Sequence, residues 1–190
     1  MILQKDGVRM SGIGRVDGES IILCLMTEEN KERYLQVYKT SSNFADLYRT
    51  SEELWKSMSD PMGTDTDDTV RYLIYEKDSE RVCGYINYDL EEGLPSIDIA
   101  IVPEYRQSGY GYDAAKTLCE DLLSKEWVET VIWHVMPNNT PSIKIAEKLG
   151  GEQIDGKDII AEALANAFGK DVAENSNIPK TLTYAIRRPL

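Results

Sequence analysis

Two glycines near the middle of the chain stand where the main chain itself could do chemistry. Gly109 and Gly111 fall between a strand-like segment that ends near Val102 and a helical segment that begins near residue 110. The first N–H groups of a helix have no partner within the helix, and together with the helix dipole they attract anions. Because glycine has no side chain, a diphosphate can approach this main chain closely. The segment therefore predicts an anion site built from backbone N–H groups.

The same glycines also satisfy a dinucleotide-like GxGxxA pattern, so a nucleotide-dependent oxidoreductase is one alternative. The length of the loop disfavours it, because residues 103–108 separate the strand from the glycines, whereas the dinucleotide fold places its glycines directly after the strand. That fold also needs an acid about 20 residues further on, at the end of the next strand. The next strand here ends in Met-Pro-Asn-Asn at residues 136–139. A tight turn without a ligand is the other alternative.

The residue composition argues against several other kinds of active site. The single histidine, His134, lies in an apolar strand-like segment, which favours a core or sheet-face position over a zinc site or a catalytic triad. No GxxxxGK[ST] segment is present, so P-loop phosphoryl transfer is excluded. Cys24, Cys83 and Cys119 are far apart in apolar stretches, which is typical of buried thiols in a reducing compartment.

Charge and hydropathy limit the partners. The chain has 190 residues and a net charge of -12, so nucleic acid is not expected as a partner, because its phosphates need clustered Lys and Arg. The charge favours a cationic substrate such as an amine, with plain solubility as the alternative. No apolar run reaches the roughly 18 residues of a membrane span, and the N-terminus lacks the features of a secretion signal. We therefore expect no membrane partner and a cytoplasmic location.

The order of predicted elements indicates an α/β fold with one mixed sheet and helices on both faces. Strands are predicted at residues 21–25, 70–76, 81–88, 96–102, 130–135 and 181–187, and helices at residues 28–38, 52–58, 110–125, 141–149 and 158–168. Thr27 and Thr140 are the predicted N-caps of the first and fourth of these helices.

No internal repeat or long linker divides the chain, so residues 1–190 predict a single domain. Within it, we expect residues 1–19 to form a loose N-terminal arm or an extra hairpin, and residues 157–178 to form a helical insertion before the last strand. We expect this insertion either to cover a substrate site or to make a homodimer contact. Ordinary packing on the protein surface is the alternative.

Two segments carry a family resemblance. The sequence VPEYRQSGYG at residues 102–111 resembles the acetyl-CoA motif of the GNAT superfamily of N-acetyltransferases, whose core is Arg/Gln-x-x-Gly-x-Gly/Ala. Asn-Thr-Pro-Ser at residues 139–142, followed by Glu-Lys-Leu-Gly at residues 147–150, resembles the family's Asn-x-x-Ser/Ala helix that ends in Lys-Leu-Gly. The resemblance covers residues 20–156 and the final strand. It implies a mostly antiparallel central sheet that splays between two strands.

The resemblance implies acetyl-CoA as the cosubstrate and no metal. The pantetheine arm would lie in the gap between the splayed strands and hydrogen-bond one of them, as an added strand does. Main-chain N–H groups from about residue 107 to 112 would hold the pyrophosphate, and the Val102 N–H would stabilise the oxyanion. Lys144 either reaches a phosphate or lies on a solvated helix face. The residues expected to contact the cofactor are Ile101, Val102, Arg106, Gln107, Ser108, Gly109, Tyr110, Gly111, Tyr112, Asn139 and Ser142.

The resemblance further implies direct transfer of acetyl to a primary amine of a small molecule or a protein N-terminus. A base must take the proton of the amine. Asp98 is the candidate because it shares a strand face with Ala100 and Val102, and a solvated or turn-pairing acid is the alternative. Glu104, which follows the strand, is expected to be exposed.

The proton donor for the leaving thiolate departs from the family pattern. Many members have a tyrosine seven residues after the motif asparagine, but this chain has Ala146 there. By resemblance to the ribosomal-protein alanine N-acetyltransferase branch, which often lacks that tyrosine, Ser142 is the candidate acid. Unassisted departure of the thiolate and a tyrosine from a loop remain open. The missing tyrosine also motivates the alternative of a non-catalytic acyl-CoA-binding module.

Overall fold

The computed structural model describes residues 2–5, 8–11, 14–41, 50–59, 69–79, 81–156 and 180–190. Its helices are α1 (Lys31–Ser41), α2 (Ser51–Ser59), α3 (Tyr110–Ser124) and α4 (Thr140–Lys148). Its strands are β1 (Ile2–Lys5), β2 (Val8–Ser11), β3 (Arg15–Asp17), β4 (Ile21–Leu25), β5 (Val70–Glu76), β6 (Val82–Glu91), β7 (Leu94–Ile101), β8 (Thr130–Val135), β9 (Glu152–Ile154) and β10 (Leu182–Arg187).

The central sheet has eight strands in the order β3-β4-β5-β6-β7-β8-β10-β9, and β1 and β2 form a separate hairpin. Every pair of neighbours is antiparallel except β7 and β8. The parallel pairing joins only Ser96 to Ile132 and Ile97 to Trp133, although both strands continue beyond these residues. The two strands therefore separate after Ile97 and leave a gap, so the predicted mostly antiparallel, splayed sheet is confirmed.

Helices cover both faces of the sheet, as predicted. On one face, α3 buries Ala115, Leu118 and Leu122 completely, at the i, i+3 and i+7 spacing of a single helix face. On the other face, α1 packs Tyr34 against Leu73 and other residues of the sheet. Each fully buried leucine stabilises the fold by roughly 1.5–3 kcal/mol relative to an exposed one.

Both predicted N-caps are wrong. Helix α1 starts at Lys31, three residues later than predicted, because residues 27–30 form a turn in which Asn30 Oδ1 accepts the Thr27 N–H at 2.7 Å. Asn139 caps α4, since its Oδ1 accepts the Ser142 N–H at 3.3 Å, and Thr140 lies inside the helix. A short side chain with a carbonyl oxygen competes well for these N–H groups.

The sheet is wider than the sequence patterns indicate, because the three-residue strands β3 and β9 were not predicted. The predicted N-terminal arm contains the β1–β2 hairpin and also β3, which pairs with β4 at the edge of the sheet. The predicted insertion at residues 157–178 and its helix at residues 158–168 lie outside the described residues. Among the described helices, none combines the length and the apolar character of a membrane span.

The turn between β3 and β4 packs directly on the first turns of α3. The Asp113 carboxylate accepts the Ser20 N–H at 2.6 Å, the Ser20 hydroxyl at 2.8 Å and the Glu19 N–H at 3.1 Å. A Cβ atom at Gly18 would lie 2.6 Å from Thr117 Oγ1 and 3.0 Å from Asp113 Oδ1. The close approach of the turn to α3 therefore requires glycine at residue 18.

We predict that Gly18→Ala lowers the free energy of unfolding by about 1–3 kcal/mol, because the added methyl group overpacks this contact. Urea denaturation monitored by circular dichroism measures the change. Gly14→Ala is the control, since a Cβ atom at Gly14 meets nothing within 4 Å, and we expect its effect to stay within about 0.5 kcal/mol. Equal effects of the two substitutions would contradict this account of the turn.

Candidate active site

Two helix N-termini lie on either side of the gap between β7 and β8. After β7 the chain forms a 3₁₀ turn, Pro103–Tyr105, and then a short loop that leads into α3. After β8 a similar short connection leads into α4. Because β7 and β8 are parallel, their carboxyl ends lie at the same edge of the sheet, where ligands of open α/β sheets bind. The beginnings of α3 and α4 thus flank the gap.

The loop before α3 presents its N–H groups to solvent. Gln107 and Gly109 adopt left-handed conformations with φ of 66° and 86°, and residues 106–109 are exposed. The Asp113 N–H makes the first helical bond, to the Gly109 carbonyl at 3.1 Å. Among the residues that the structure describes, none accepts a hydrogen bond from the N–H groups of residues 107–112. These donors remain available for an anion, as the paired glycines predicted.

A carboxylate from the β5–β6 turn fixes the first residue of α3. Glu76 accepts a hydrogen bond from the Tyr110 hydroxyl on one oxygen, and its other oxygen takes the Ser79 hydroxyl and the Arg81 guanidinium, whose Nη2 lies at 2.7 Å. The bonds from Ser79, Tyr110 and Arg81 lower the pKa of Glu76 to about 2. The same bond to Glu76 raises the pKa of Tyr110 to about 12. The carboxylate–phenol link therefore persists across the physiological pH range.

Asp113 supplies a second anchor, one turn into α3. Although burial alone would raise the pKa of Asp113, the hydrogen bonds from Ser20 and Glu19 outweigh burial and lower it. The ionised carboxylate also lies in the first turn of a helix, where the dipole favours a negative charge. The loop is thus held at Tyr110 and at Asp113 by contacts that leave its N–H groups unpaired.

Because Gly111 has no side chain, α3, α4 and the end of β7 pack closely around it. A Cβ atom at Gly111 would lie 3.4 Å from Ile101 Cγ1 and 3.4 Å from Ile145 Cδ1. The Lys148 ammonium group of α4 lies 3.7 Å from the centroid of the Tyr112 ring, which is a cation–π contact between the two helices. Contacts on both sides of the gap therefore set its width.

Val102 cannot provide the free oxyanion donor that the sequence predicted. Its N–H donates to the Cys83 carbonyl at 2.8 Å, and its carbonyl accepts the Tyr105 N–H at 2.9 Å. Successive residues of an antiparallel strand turn their main-chain groups to opposite sides, so Ile101 turns its groups toward the gap. The Ile101 carbonyl accepts Nε of Arg106 at 3.0 Å. This leaves the Ile101 N–H as the donor that faces the gap.

Asp98 lies on the α1 face of β7 at the point where β7 leaves β8. Asp98 lies directly opposite Asn87 of β6, and its side chain is exposed. Partial loss of solvation among the neighbouring atoms is the main cause that raises the pKa of Asp98; the charge of Asp89 adds to it, whereas Tyr85 and the Ile99 N–H oppose it. A carboxylate with a raised pKa beside a gap suits proton transfer.

The predicted α4 residues lie together in the first turn of that helix. Asn139 uses its side-chain oxygen as the cap, and Ser142, which donates its N–H to that oxygen, is half-buried. Ala146 is fully buried and packs in the core that α3 shares. The position where many family members carry a tyrosine therefore holds a core methyl group.

His134 lies on the face of the sheet, as predicted. Its Nε2 lies 2.7 Å from Glu91 Oε2, and its Nδ1 lies 3.1 Å from Thr183 Oγ1. The side chain is only 6% exposed, and both ring nitrogens have partners. His134 thus links β8 to β10 and to the end of β6, and it has no free nitrogen to act as a base.

The sequence patterns do not reveal a tyrosine cluster on the same face of the sheet as Asp98. Tyr85 is buried in β6, and Tyr34 and Tyr38 of α1 pack on its ring. The alternation of β6 places Tyr85 and Asn87 on one face, which is the available signal. Their proximity to Asp98 depends on the pairing of β6 with β7, which the pattern within one strand does not specify.

The other reactive side chains that the structure describes are not grouped as a metal site, and the two buried cysteines are not activated. Among the described residues, no group of three or more His, Cys, Asp or Glu side chains is placed to hold a metal ion. Burial raises the pKa of Cys83 to about 11 and that of Cys119 to about 12, so both stay protonated thiols at neutral pH.

A sheet that separates between two parallel strands, with unpaired N–H groups at the start of the helix that follows the first of them, defines a coenzyme-binding acyltransferase fold. Residues 20–152 match the family model described as an acetyltransferase (GNAT) domain. The chain belongs to this family.

Solved structures share the fold. An acetyltransferase (GNAT family) from Bacillus anthracis is 18% identical, with a TM-score of 0.63, and the match covers 91% of this chain and 98% of that one. RimL, a ribosomal α-N-protein acetyltransferase solved in complex with coenzyme A, is 11% identical, with a TM-score of 0.64 and coverages of 91% and 97%. A chimeric spermidine N-acetyltransferase from Vibrio cholerae and hSSAT is 12% identical, with a TM-score of 0.65 and coverages of 90% and 96%.

We predict that Gly109→Glu abolishes binding of coenzyme A while the fold is retained. The new side chain would bring a negative charge and steric bulk to the unpaired N–H groups, where a phosphate is expected to bind. Isothermal titration calorimetry measures the affinity, and circular dichroism measures the fold.

Gly93→Glu is the matched control for this substitution. Gly93 has the same φ of 86° and the same empty surroundings, but it lies in the β6–β7 turn at the opposite end of β7. Both variants should lose a similar, small amount of stability, since both place a side chain in a left-handed conformation. Unchanged coenzyme affinity in Gly109→Glu, or an equal loss in both variants, would contradict the assignment of the loop.

Proposed function

We propose that this chain transfers the acetyl group of acetyl-CoA to a primary amine, which attacks the thioester directly. The observation that supports this most strongly is the row of N–H groups at residues 107–112, which the described residues leave without acceptors beside the gap in the sheet. Membership of the acetyltransferase family supports the same reaction.

The coenzyme is proposed to lie across the edge where α3 and α4 begin. The N–H groups of residues 107–112 would hold the pyrophosphate, and the predicted side chains from Arg106 to Tyr112 surround it. The pantetheine arm would enter the gap and bond the main chain of Ile101, in the manner of an added strand. Asn139 would meet the arm through its side-chain nitrogen, because its oxygen caps α4.

The chemical step forms the N–C bond and breaks the C–S bond. The Ile101 N–H would stabilise the oxyanion in place of Val102, whose N–H is already bonded. Asp98 would take the proton that the ammonium group must lose before its nitrogen can attack, and would pass it to water. After the attack, Ser142 would give its hydroxyl proton to the leaving thiolate and be reprotonated by the second proton that the nitrogen loses as the amide forms. Asp98 and Ser142 belong to elements on opposite sides of the gap, β7 and α4, which suits these opposite roles.

The acceptor is proposed to be a cationic primary amine. The net charge of -12 favours such a substrate, and Asp89 lies near Asp98 on the neighbouring strand. Among the structural neighbours, one acts on a ribosomal protein α-amine and another on spermidine. A protein N-terminus and a small polyamine offer the same reacting group, so a panel that contains both is the appropriate first assay.

We predict that Asp98→Asn lowers kcat/KM for the amine by about 10²–10⁴-fold and leaves binding of acetyl-CoA unchanged, because only the base is lost. Since burial raises the pKa of Asp98, the wild-type rate should rise with pH through a midpoint above the usual aspartate range, and the variant should lack this limb. Release of coenzyme A, followed spectrophotometrically against a panel of polyamines and peptide N-termini, measures the effect.

Glu104→Gln is the control, since Glu104 is an exposed acid shortly after the same strand and should not affect the rate. Full activity of Asp98→Asn would refute the role of this carboxylate. Tight binding of acetyl-CoA by the wild type, without release of coenzyme A across the whole panel, would instead identify a non-catalytic acyl-CoA-binding module.

Electrostatic attraction of the acceptor gives a further prediction. When ionic strength rises from about 0.01 to 0.15 M, the Debye length falls from about 30 to about 8 Å, so long-range attraction weakens. Because a polyamine carries more positive charge than a monoamine, we expect its kcat/KM to fall more. Stopped-time assays at matched pH measure both slopes. A rate that does not respond to salt would argue against this attraction and leave the charge as a determinant of solubility.

A further inference from the structure

A side chain bonds the end of β7 on the side of the gap. Ile101 lies directly opposite Gly84 of β6, and the Val102 N–H donates to the Cys83 carbonyl at 2.8 Å. In an antiparallel ladder this pattern turns the main-chain N–H and C=O of Ile101 away from β6, toward the gap. The Ile101 carbonyl accepts Nε of Arg106 at 3.0 Å. The Arg106 guanidinium therefore lies beside β7 on the side that faces the gap.

The proposed pantetheine arm needs the same place. A chain that adds to the edge of a sheet pairs with the main-chain groups that this edge presents, and β7 presents those of Ile101 there. A carbonyl oxygen has two lone pairs, so it is able to accept a second hydrogen bond. The space beside it is limited, however, because α3, α4 and the end of β7 pack closely around Gly111. An arm that bonds Ile101 must therefore displace the Arg106 side chain.

The positive charge of Arg106 is not paired with a carboxylate. In the part of the chain that the structure describes, its guanidinium forms no ion pair with an acidic side chain, and the residue is exposed. Arg81 differs, since its Nη2 lies 2.7 Å from Oε2 of Glu76. The Arg106 N–H donates to the Pro103 carbonyl at 3.3 Å, so the main chain is held while the side chain is able to rotate. The guanidinium can thus leave Ile101 for an anion.

Such an anion is expected directly beside Arg106. The residue immediately precedes the N–H groups of residues 107–112, where the pyrophosphate is proposed to bind. Arginine binds phosphate through charge-assisted and often bidentate hydrogen bonds, which are stronger than bonds that involve a neutral partner. A phosphate oxygen is therefore a better partner for the guanidinium than the Ile101 carbonyl.

We propose that Arg106 exchanges the Ile101 carbonyl for a phosphate of the coenzyme, and thereby makes the gap selective for thioesters that carry phosphate. This inference rests on the position of the coenzyme in the proposed function. Acetyl-CoA replaces both partners of the broken bond, because its arm bonds Ile101 and its pyrophosphate bonds Arg106. A phosphate-free pantetheine thioester breaks the same bond and offers the guanidinium no charged partner. The exchange involves hydrogen bonds only, and no covalent bond changes.

Arg106→Met tests the exchange because it removes the guanidinium and keeps a long, unbranched side chain. Coenzyme A is compared with pantetheine, which is the same arm without phosphates. We expect the Kd for coenzyme A to rise by about 10–100-fold, since a charge-assisted bond to phosphate is lost. The Kd for pantetheine should instead fall by about 3–10-fold, since the arm no longer competes with Arg106 for the Ile101 carbonyl. Calorimetry measures the first affinity, and ligand-observed NMR titration measures the second.

Arg187→Met is the matched control. Arg187 lies opposite Thr130 at the start of β8, away from the gap, and it pairs with Glu152 on the surface at 3.1 Å. The control removes one exposed guanidinium, as the test does, so the change in net charge is the same. Both affinities should stay unchanged in the control, and circular dichroism checks the fold of both variants.

Opposite changes in the two affinities support the exchange. A Kd for pantetheine that stays the same or rises in Arg106→Met overturns it, because a residue that only binds phosphate or only supports the loop does not oppose a phosphate-free ligand. Neither titration needs an amine, so the exchange is decided even for a chain that transfers no acetyl group. A wild-type chain that does not bind coenzyme A would refute both the exchange and the proposed coenzyme site.

Discussion

The site depends on a row of main-chain donors that must stay unpaired and yet stay fixed. Unpaired N–H groups are tolerated at the start of α3 because residues 106–109 are exposed to solvent. The left-handed conformation of Gln107 costs free energy, on the order of 1 kcal/mol, so the surrounding structure must hold it. Glu76 and Asp113 provide that support, since one binds Tyr110 and the other binds the turn before β4. Neither anchor uses an N–H group of the loop.

Strand β7 supplies both the proposed oxyanion donor and the proposed base, because successive residues of a strand turn their groups in opposite directions. The main-chain groups of Ile101 turn toward the gap, while the side chain of Asp98 belongs to the α1 face. The separation of β7 from β8 after Ile97 brings the two sets of groups to one place. A coenzyme bonded to the strand and an amine that approaches from the α1 side would then meet at the same short stretch of chain.

Local patterns predicted the long strands and α3 and pointed to the loop before α3, because apolar periodicity and glycine pairs report on neighbouring residues. They failed where the answer depended on register or on competition between adjacent polar residues. The main-chain direction of Val102 follows from its pairing with Cys83, and the position of Asn87 opposite Asp98 follows from the same pairing of strands. The cap at Asn139 was missed because the adjacent threonine satisfies the same compositional rule. Three residues are too few to show the alternation of β3 and β9.

The bond between Ser20 and Asp113 joins residues 93 positions apart. A nascent chain leaving the ribosome therefore holds β3 and β4 for some time before the helix that they support has been made. Contacts of such sequence separation form slowly, because a long loop must close before they stabilise anything. The loop at residues 106–109 therefore gains this support only after α3 has been made. A coenzyme that needs the fixed loop would not bind a nascent chain that still lacks this helix.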